Sequence, residues 1–419
     1  MIFKYKKSIR LGNDEIFSTK KLGGYISKLN QNYERNDYSY PESSIYLSRD
    51  EKIMDAVNKI VDKYKPDEVK MAVVIGIGGS NLGTWAVYDA VKPDFILEFA
   101  ETVDPVKVSE IERKIRREYS EGRKVVLVFI SKSGGTAETV ANYSVLAKII
   151  KELDSSWQEQ VVIITDEGSK LWNYAKEMSF ERLQIPELVG GRYSILSSVG
   201  LFPLTLAGVD AKQLKAGAIT ALKDGLIADV SINGSLVSAT TIYLHMQQGI
   251  SMHNTFIFAP QLATVGKWYS QLVGESLGKD GKGITPLTSL GTPELHSLLQ
   301  LYLGGPKDKL TTFIKVLDFG VDYPIAGFNI SKLVGDIEGN SMTELMGHIY
   351  SGVLSAYDKL ELPYMEIILD KADAYNIGWL LQFKMMETMF LAQLIDVNAF
   401  DQPNVELYKE ETRKILQSP

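Results

Sequence analysis

A glutamate surrounded by glycines has the clearest chemical potential in this chain. Residues 273–284 read VGESLGKDGKGI, which places Glu275 in a glycine-rich stretch that His296 follows. Glycine-rich backbone lets a substrate approach closely, and a carboxylate with an imidazole can move protons on a small polar molecule. We therefore take Glu275 and His296 as candidates for acid–base catalysis. Lys279 and Lys282, in the same stretch, are expected to serve loop structure and solvent rather than a ligand.

The loop at 76–83 (GIGGSNLG) has the composition of an anion-binding turn. It follows an apolar run at 71–77 and precedes a helical pattern, so free N–H groups and the helix dipole favour an anion there. Gly79 lets the backbone approach the ligand, and Ser80 adds a hydroxyl. The competing interpretations are a dinucleotide fingerprint, whose spacing differs from this one, and a tight turn that needs positive φ.

The loop at 131–136 (SKSGGT) is the stronger candidate for phosphate. It follows a predicted strand at 124–130 and offers one phosphoryl group several donors, from Ser131, Lys132, Ser133 and Thr136. A helix N-cap alone would explain one hydroxyl but not the whole set. The chain has no G-x-x-x-x-G-K-[ST] sequence, which argues against a nucleoside triphosphate.

Apolar strands alternate with helical patterns along most of the chain, which indicates an α/β fold with mainly parallel sheets. In the first half we predict strands at 71–77, 95–99, 124–130 and 161–165. In the second half we predict strands at 255–258, 287–290, 313–317 and 365–369. We divide the chain into an N-terminal polar lead-in (1–45), a first domain (46–200), a second domain (201–390) and a C-terminal helical segment (391–419).

Composition narrows the class of protein. The chain has 419 residues, a net charge of −7 and no cysteine. The acidic balance argues against general nucleic-acid binding, and without cysteine there is no disulfide, thiolate nucleophile or zinc–thiolate site. The polar N-terminus does not resemble a secretory signal, and no apolar run is long enough to cross a membrane. We expect a cytoplasmic protein.

Taken together, the motifs resemble those of the glucose-6-phosphate isomerase (phosphoglucose isomerase) family, in its bacterial type. The resemblance covers residues 76–409. It rests on the two loops above and on four further segments: GGRYSILSSVG (190–200), GESLGKDG (274–281), LHS (295–297) and FDQPNVE (400–406). It implies two sugar-isomerase (SIS) domains, each a flavodoxin-like three-layer αβα sandwich, with a C-terminal segment that completes the site.

The resemblance also implies the reaction, which is reversible isomerisation of D-glucose 6-phosphate to D-fructose 6-phosphate without cofactor or metal. Glu275 would move one proton between C1 and C2 through a cis-enediolate, which Arg192 would stabilise. His296 and Lys409 would open the sugar ring. Family members contact the substrate through positions that match Gly79, Ser80, Ser131, Lys132, Ser133, Thr136, Gln271 and Gln402. A homodimer with shared active sites is implied, in which His296 can come from the partner subunit.

Two departures from the family pattern keep alternatives open. Residues 294–296 read Glu-Leu-His where Asp-Gln-His is usual, and Gly134 and Gly135 replace bulkier residues in the phosphate loop. The glycine pair leaves open a bifunctional phosphoglucose/phosphomannose isomerase. A second alternative is a non-catalytic SIS sugar-phosphate-binding protein, which would not need Glu275, His296, Arg192 and Lys409 together. The other histidines, at 245, 253 and 348, are assigned to structure.

Overall fold

The protein is described from a computed structural model that covers residues 1–5, 13–132, 134–326, 333–334 and 337–417. The strands are, in chain order, β1 (Ile2–Tyr5), β2 (Val69–Ile75), β3 (Ile96–Ala100), β4 (Lys124–Ile130), β5 (Val161–Asp166), β6 (Glu181–Ile185), β7 (Met252–Phe258), β8 (Thr285–Leu290), β9 (Lys309–Asp318) and β10 (Tyr364–Lys371). They form two five-stranded sheets with helices between and around them, so the predicted α/β class with mainly parallel sheets is confirmed.

The helices are, in chain order, α1 (Asn13–Arg35), α2 (Glu51–Val61), α3 (Leu82–Val91), α4 (Pro105–Ser120), α5 (Ala137–Leu153), α6 (Lys170–Glu177), α7 (Ser198–Leu206), α8 (Ala211–Gly225), α9 (Gly234–Gln247), α10 (Ala263–Leu277), α11 (Leu299–Gly304), α12 (Met342–Lys359), α13 (Ala374–Leu394) and α14 (Val405–Gln417). Polar residues start several of them, as the unpaired first N–H groups of a helix require. Asp50 accepts from Lys52 N before α2, for example, and Asp104 accepts from Val106 N before α4. Among the described helices, none is long and apolar enough to span a membrane.

The first sheet has the strand order β3-β2-β4-β5-β6, and all neighbours are parallel. The run at 124–130 was predicted with the bounds that β4 has, because six apolar residues follow one lysine and all six are buried. The sequence prediction missed β6, in which the exposed Gln184 interrupts the apolar residues. Nothing in those five residues distinguishes a short edge strand from a loop.

The second sheet has the order β1-β10-β9-β7-β8, and only β1 runs antiparallel to its neighbour. Strand β1 lies in the segment that was expected to be a polar lead-in. Ile2 is paired with Ile368, and the α1 residues Leu22 and Leu29 are fully buried. Strand β1 therefore forms an edge of the second sheet, and α1 packs into the core that the two halves share. The domain boundaries at 45, 200 and 390 stay a prediction.

One continuous apolar core joins the two sheets, because residues of β2 and residues of β9 belong to the same buried cluster. Helices α3 and α10 make part of this junction: Thr264 donates to the carboxylate of Asp89, and the Lys267 ammonium lies 5.4 Å from the centre of the Trp85 ring. These contacts fix the position of α3 relative to α10. Helix α3 follows the loop at 76–83, and α10 carries Gln271 and Glu275.

Helix α13 lies at the centre of the second half, and almost all of its side chains are buried. An all-round apolar helix is typical of such a position. It packs closely on α8 because both helices have glycine at the crossing: a Cβ on Gly378 would stand 2.0 Å from the Leu214 carbonyl oxygen. Larger residues there would force the helices apart.

Candidate active site

The two predicted phosphate loops lie next to each other at one edge of the first sheet. Loop 76–83 leaves the carboxyl end of β2, and loop 131–136 leaves the carboxyl end of β4. Strand β2 pairs with β3 on one side and β4 on the other, so the strand order reverses between β2 and β4. In open α/β sheets, ligands bind in the crevice outside such a switch point. The topology therefore supports a ligand at these loops.

The turn at 78–80 requires glycine for two separate reasons. Gly78 has φ of +58°, and a Cβ there would stand 2.8 Å from the side-chain nitrogen of Gln271. A Cβ on Gly79 would stand 2.1 Å from the carbonyl carbon of Gly191. The tight-turn interpretation of this loop is thus correct for the backbone. The close approach also brings the turn against both Gln271 and the segment that carries Arg192.

Helix α10 presents an acid and an amide on one face. Gln271 and Glu275 are one turn apart, and the Gln271 Nε2 donates to Glu275 Oε1 at 2.8 Å. Arg192 Nη1 donates to the other carboxylate oxygen, Oε2, at 3.1 Å. Both oxygens are therefore held, which fixes the carboxylate plane. The Glu275 side chain stays 29% exposed, so part of the acid is open to a substrate.

Arg192 lies at the centre of this arrangement and is only 1% exposed. Its Nε donates to the hydroxyl of Ser276 at 2.8 Å, and that hydroxyl also bonds to the Tyr193 hydroxyl at 3.1 Å. The arginine stands on a short 3₁₀ turn, 191–193, which follows the first sheet. Its main partners come from the second half of the chain. A buried guanidinium needs such a complete set of acceptors.

The C-terminal segment supplies the remaining acceptors of Arg192. Nη1 donates to Gln402 Oε1 at 2.7 Å, and Nη2 donates to the carbonyls of Ala399 at 2.5 Å and Asp401 at 3.1 Å. The crossover segment, defined here as residues 396–402, therefore folds back onto Arg192. The structure thus brings together Arg192, Glu275, Gln271 and Gln402, four residues that the sequence prediction assigned to one site.

Loop 131–136 has its backbone fixed by its own side chains. Ser131 is buried, and its hydroxyl accepts from the Gly134 N–H at 3.1 Å. The Lys132 ammonium donates to the carbonyls of Glu187 and Val189. Its role at a phosphate stays a prediction. Ser133 lies outside the described residues.

The glycine pair in this loop separates into two different positions. Gly134 has φ of +71°, and a Cβ there would stand 2.7 Å from the Cβ of Leu171, so packing alone requires glycine. A Cβ on Gly135 meets no atom within 4 Å. Only Gly135 leaves space beside the loop.

Helix α14 lies over the start of α5 and encloses a cavity of about 230 Å³ with it. Thr136, the N-cap residue of α5, lines one side, and Lys409 lines the other. The Lys409 ammonium pairs with Glu406 at 2.7 Å. The Thr136 hydroxyl makes no hydrogen bond as a cap. The cavity therefore joins one predicted phosphate ligand to one predicted ring-opening residue.

His296 is the candidate that the structure does not bring to the others. It ends a 3₁₀ turn, 293–296, after β8, and its side chain is exposed. Within the described ranges, no hydrogen bond or ion pair joins it to Glu275 or Arg192. The sequence analysis did not single out Ser276, whose hydroxyl accepts from Arg192 and whose position next to Glu275 was the only available signal. Lys279 was expected to serve loop structure and solvent; it is buried, and its ammonium is bonded to protein groups.

The fold, together with the family comparison, places the chain among sugar-phosphate isomerases of the SIS type. The model of the phosphoglucose isomerase family matches residues 39–292. The glucose-6-phosphate isomerase of Methanocaldococcus jannaschii is 35% identical over 84% of this chain and 85% of its own length. The chain belongs to the phosphoglucose isomerase family.

Solved structures agree on the architecture. A hypothetical protein of Thermus thermophilus superposes over 100% of both chains, with a TM-score of 0.88 and 28% identity. A glucose-6-phosphate isomerase of Chlamydia trachomatis covers 87% of this chain and 73% of its own, with a TM-score of 0.77 and 22% identity. The second likeness shows the fold alone. The predicted SIS architecture is confirmed.

Proposed function

We propose that this protein interconverts D-glucose 6-phosphate and D-fructose 6-phosphate. The observation that carries the proposal is the carboxylate of Glu275, held between Gln271 and Arg192 next to the turn of loop 76–83. Moving a carbon-bound proton to the next carbon needs one positioned base and one cation for the charge that develops on oxygen. Family membership supplies the substrate class.

The phosphate end of the sugar binds at the carboxyl ends of β2 and β4. Ser131, Ser133 and Thr136 contact the phosphoryl oxygens, with Lys132 next to them, and Gly79 with Ser80 faces the sugar end. Helix α5 contributes its N-terminal N–H groups and its dipole, which both favour a bound dianion. This anchoring fixes which carbons face Glu275.

Glu275 removes the proton from C2 of the open-chain aldose and returns it to C1. The cis-enediolate that forms carries negative charge on oxygen, and Arg192 stabilises it with a guanidinium already held by fixed acceptors. A preorganised donor of this kind contributes about 3–4 kcal/mol to the transition state. Gln271 and Gln402 orient the sugar hydroxyls, since each already bonds to one of the two charged groups.

His296 and Lys409 open the ring by moving protons between the ring oxygen and the C1 hydroxyl. We infer that the active unit is a homodimer in which His296 completes the site of the other copy. Its exposure and its lack of contact with Glu275 within the described chain support this inference. The acidic net charge and the absence of cysteine fit a cytoplasmic enzyme of glycolysis and gluconeogenesis.

Hydrogen exchange in D₂O tests the proton transfer directly. The wild type should convert glucose 6-phosphate and incorporate solvent deuterium at the carbon that receives the proton, both visible by NMR. Glu275→Gln should lose both activities while it still binds a sugar-phosphate analogue. Glu110→Gln, on the exposed face of α4, is the matched control. Full turnover by Glu275→Gln would refute the assigned base, and parallel assays with mannose 6-phosphate measure substrate breadth.

Hybrid dimers test the shared site. Glu275→Gln and His296→Ala variants are each expected to be inactive on cyclic substrate. When they are mixed and the subunits exchange, a hybrid dimer with His296 in trans contains one intact site. Random mixing then restores about a quarter of wild-type activity, since half the dimers are hybrids with one of two sites intact. No restoration, with exchange verified by mass spectrometry, would place His296 in its own chain's site.

A further inference from the structure

Lys279 is a buried lysine in the segment that follows helix α10, and its ammonium contacts protein groups on several sides. Its side chain is 8% exposed and lies 2.8 Å from the Asp401 Oδ1. The ammonium also donates to the carbonyl of Ser276, at 3.2 Å, and to the carbonyl of Asn398. All three of its donors therefore have protein acceptors, which hold the ammonium in place.

The partners of Lys279 belong to the crossover segment that holds Arg192. Asn398 and Asp401 accept from Lys279, while Ala399, Asp401 and Gln402 accept from Arg192. Asp401 serves both cations, its carboxylate for Lys279 and its carbonyl for Arg192. The crossover segment therefore lies between two buried cations, and the position of one depends on the other.

Ser276, in the last turn of α10, is bonded to both cations. Ser276 accepts from Lys279 through its carbonyl and from Arg192 through its hydroxyl. It follows Glu275 directly in the chain. Lys279 is therefore connected to Arg192 through Ser276 as well as through Asp401.

We propose that Lys279 is a positioning residue for the isomerisation, which fastens the crossover segment so that Arg192 meets the enediolate at the correct place. The proposal rests on the proposed function. It states that Lys279 contributes to the transition state through Arg192 and Gln402, without touching the substrate. A misplacement of about 1 Å at a reacting centre lowers the rate about 100-fold, which sets the scale of the effect.

Lys282 offers a matched control in the same loop. Its ammonium donates to the carbonyl of Asp396 at 3.3 Å and is exposed. It contacts the far end of the crossover segment, where no group bonds to Arg192. Lys279→Met and Lys282→Met therefore remove the same charge from the same loop, but only the first removes the link to Asp401.

The first measurement is steady-state kinetics on fructose 6-phosphate. Lys279→Met should lower kcat about 100-fold with a smaller change in KM, because phosphate binding at loop 131–136 is untouched. Lys282→Met should stay within about twofold of the wild type. In an Arg192→Met background, Lys279→Met should add little further loss, since the group it positions is gone.

A milder variant guards against a failure to fold. Asp401→Asn keeps the backbone carbonyl that accepts from Arg192. It removes the charge that faces Lys279 and one of the two carboxylate oxygens, of which Oδ2 accepts from Asn398 at 2.9 Å. It should lower kcat in the same direction as Lys279→Met, by a smaller factor. Hydrogen exchange at the amides of 396–402, which does not depend on activity, should accelerate in both variants and not in Lys282→Met.

The outcomes separate this proposal from the proposed function. An active wild type with unchanged kcat in Lys279→Met, or a fully additive loss in the Arg192→Met background, would overturn the positioning role alone. An inactive wild type that nevertheless shows faster exchange at 396–402 in Lys279→Met would reject the isomerase activity while the fastening stands. Equal losses in Lys279→Met and Lys282→Met would overturn the role of the Asp401 link.

Discussion

A charged pair inside the core, Lys384 with Glu387 on α13, offers the sharpest test of how the site helix is held. Both side chains are 1% exposed, and the Lys384 Nζ lies 2.9 Å from Glu387 Oε2. Tyr269 of α10 donates to Glu387 Oε1 at 2.6 Å, and Ser238 donates to the other oxygen. Glu387 thus connects α13 to the helix that carries Glu275.

The perturbation is Lys384→Met, which keeps an unbranched apolar chain and removes the charge. In the wild type, burial raises the pKa of Glu387, but Lys384, His253 and the two hydroxyls outweigh it, so the pKa lies below its ordinary value. Its stabilising contribution is present above the unfolded pKa and is lost as pH falls. Without Lys384, burial dominates and the pKa of Glu387 lies above its ordinary value.

The cost follows from the proton that the variant must take up. Breaking a buried pair costs about 3–5 kcal/mol. Protonation of an unfolded glutamate with pKa ~4.3 costs about 1.36 × (7 − 4.3) ≈ 3.7 kcal/mol at pH 7, and about 1.36 × (5.5 − 4.3) ≈ 1.6 kcal/mol at pH 5.5. A group with a raised folded pKa loses its stability contribution as pH rises. The stability gap between variant and wild type should therefore narrow by about 2 kcal/mol on acidification to pH 5.5.

His253 lies next to the pair, and its titration does not reverse the predicted direction in which the stability gap changes with pH. Its Nδ1 is 3.1 Å from the Tyr269 hydroxyl, and burial, with Lys384 nearby, lowers its pKa to about 3. Loss of Lys384 raises that pKa, so a proton taken up by His253 also stabilises the variant as pH falls. Whether Glu387 or His253 takes up the proton, the stability difference between variant and wild type becomes smaller as pH falls.

Unfolding followed by circular dichroism between pH 5.5 and 7.5 provides the assay. The control is Lys384→Met with Glu387→Gln, which buries no charge and retains an acceptor for Tyr269. Its stability relative to wild type should vary much less with pH. A gap for Lys384→Met that stays constant, or that widens toward pH 5.5, would refute the buried-charge reasoning.

Two further predictions concern the phosphate loop and the neighbouring end of β5. Gly134→Ala should destabilise the protein, because its Cβ would stand 2.7 Å from Leu171 Cβ at a backbone φ of +71°, while Gly135→Ala should leave the melting temperature unchanged; equal shifts would contradict the packing argument. Asp166, at the end of β5, has a pKa raised to about 6 by burial, against the lowering effect of Lys132. Its charge therefore destabilises the fold as pH rises from about 4 to 6, so Asp166→Asn should melt higher than wild type at pH 7 and at the same temperature at pH 4. A lower melting temperature at pH 7 would show that the carboxylate is stabilising.

The parts of the fold that could be predicted are those with local causes. Strand β4 and the turn after β2 follow from continuous apolar residues and from glycines with no room for a Cβ. The N-terminal segment could not be predicted in this way. Strand β1 is held by its pairing with β10, which lies far away in the sequence. The residues around Ile2 therefore give no local indication that they pair with Ile368.

In the candidate site, too, contacts between residues close in sequence could be predicted, and contacts between distant residues could not. Glu275 and Gln271 share a helical face, and their spacing alone predicts their contact. Arg192 was found only through resemblance, because the acceptors that hold the buried guanidinium come from residues 275–276 and 399–402, which are distant in sequence. A buried cation is tolerable only when every donor is satisfied. The crossover segment therefore has to fold back for Arg192 to remain buried, so the arginine that would stabilise the transition state also ties the C-terminal segment to the site.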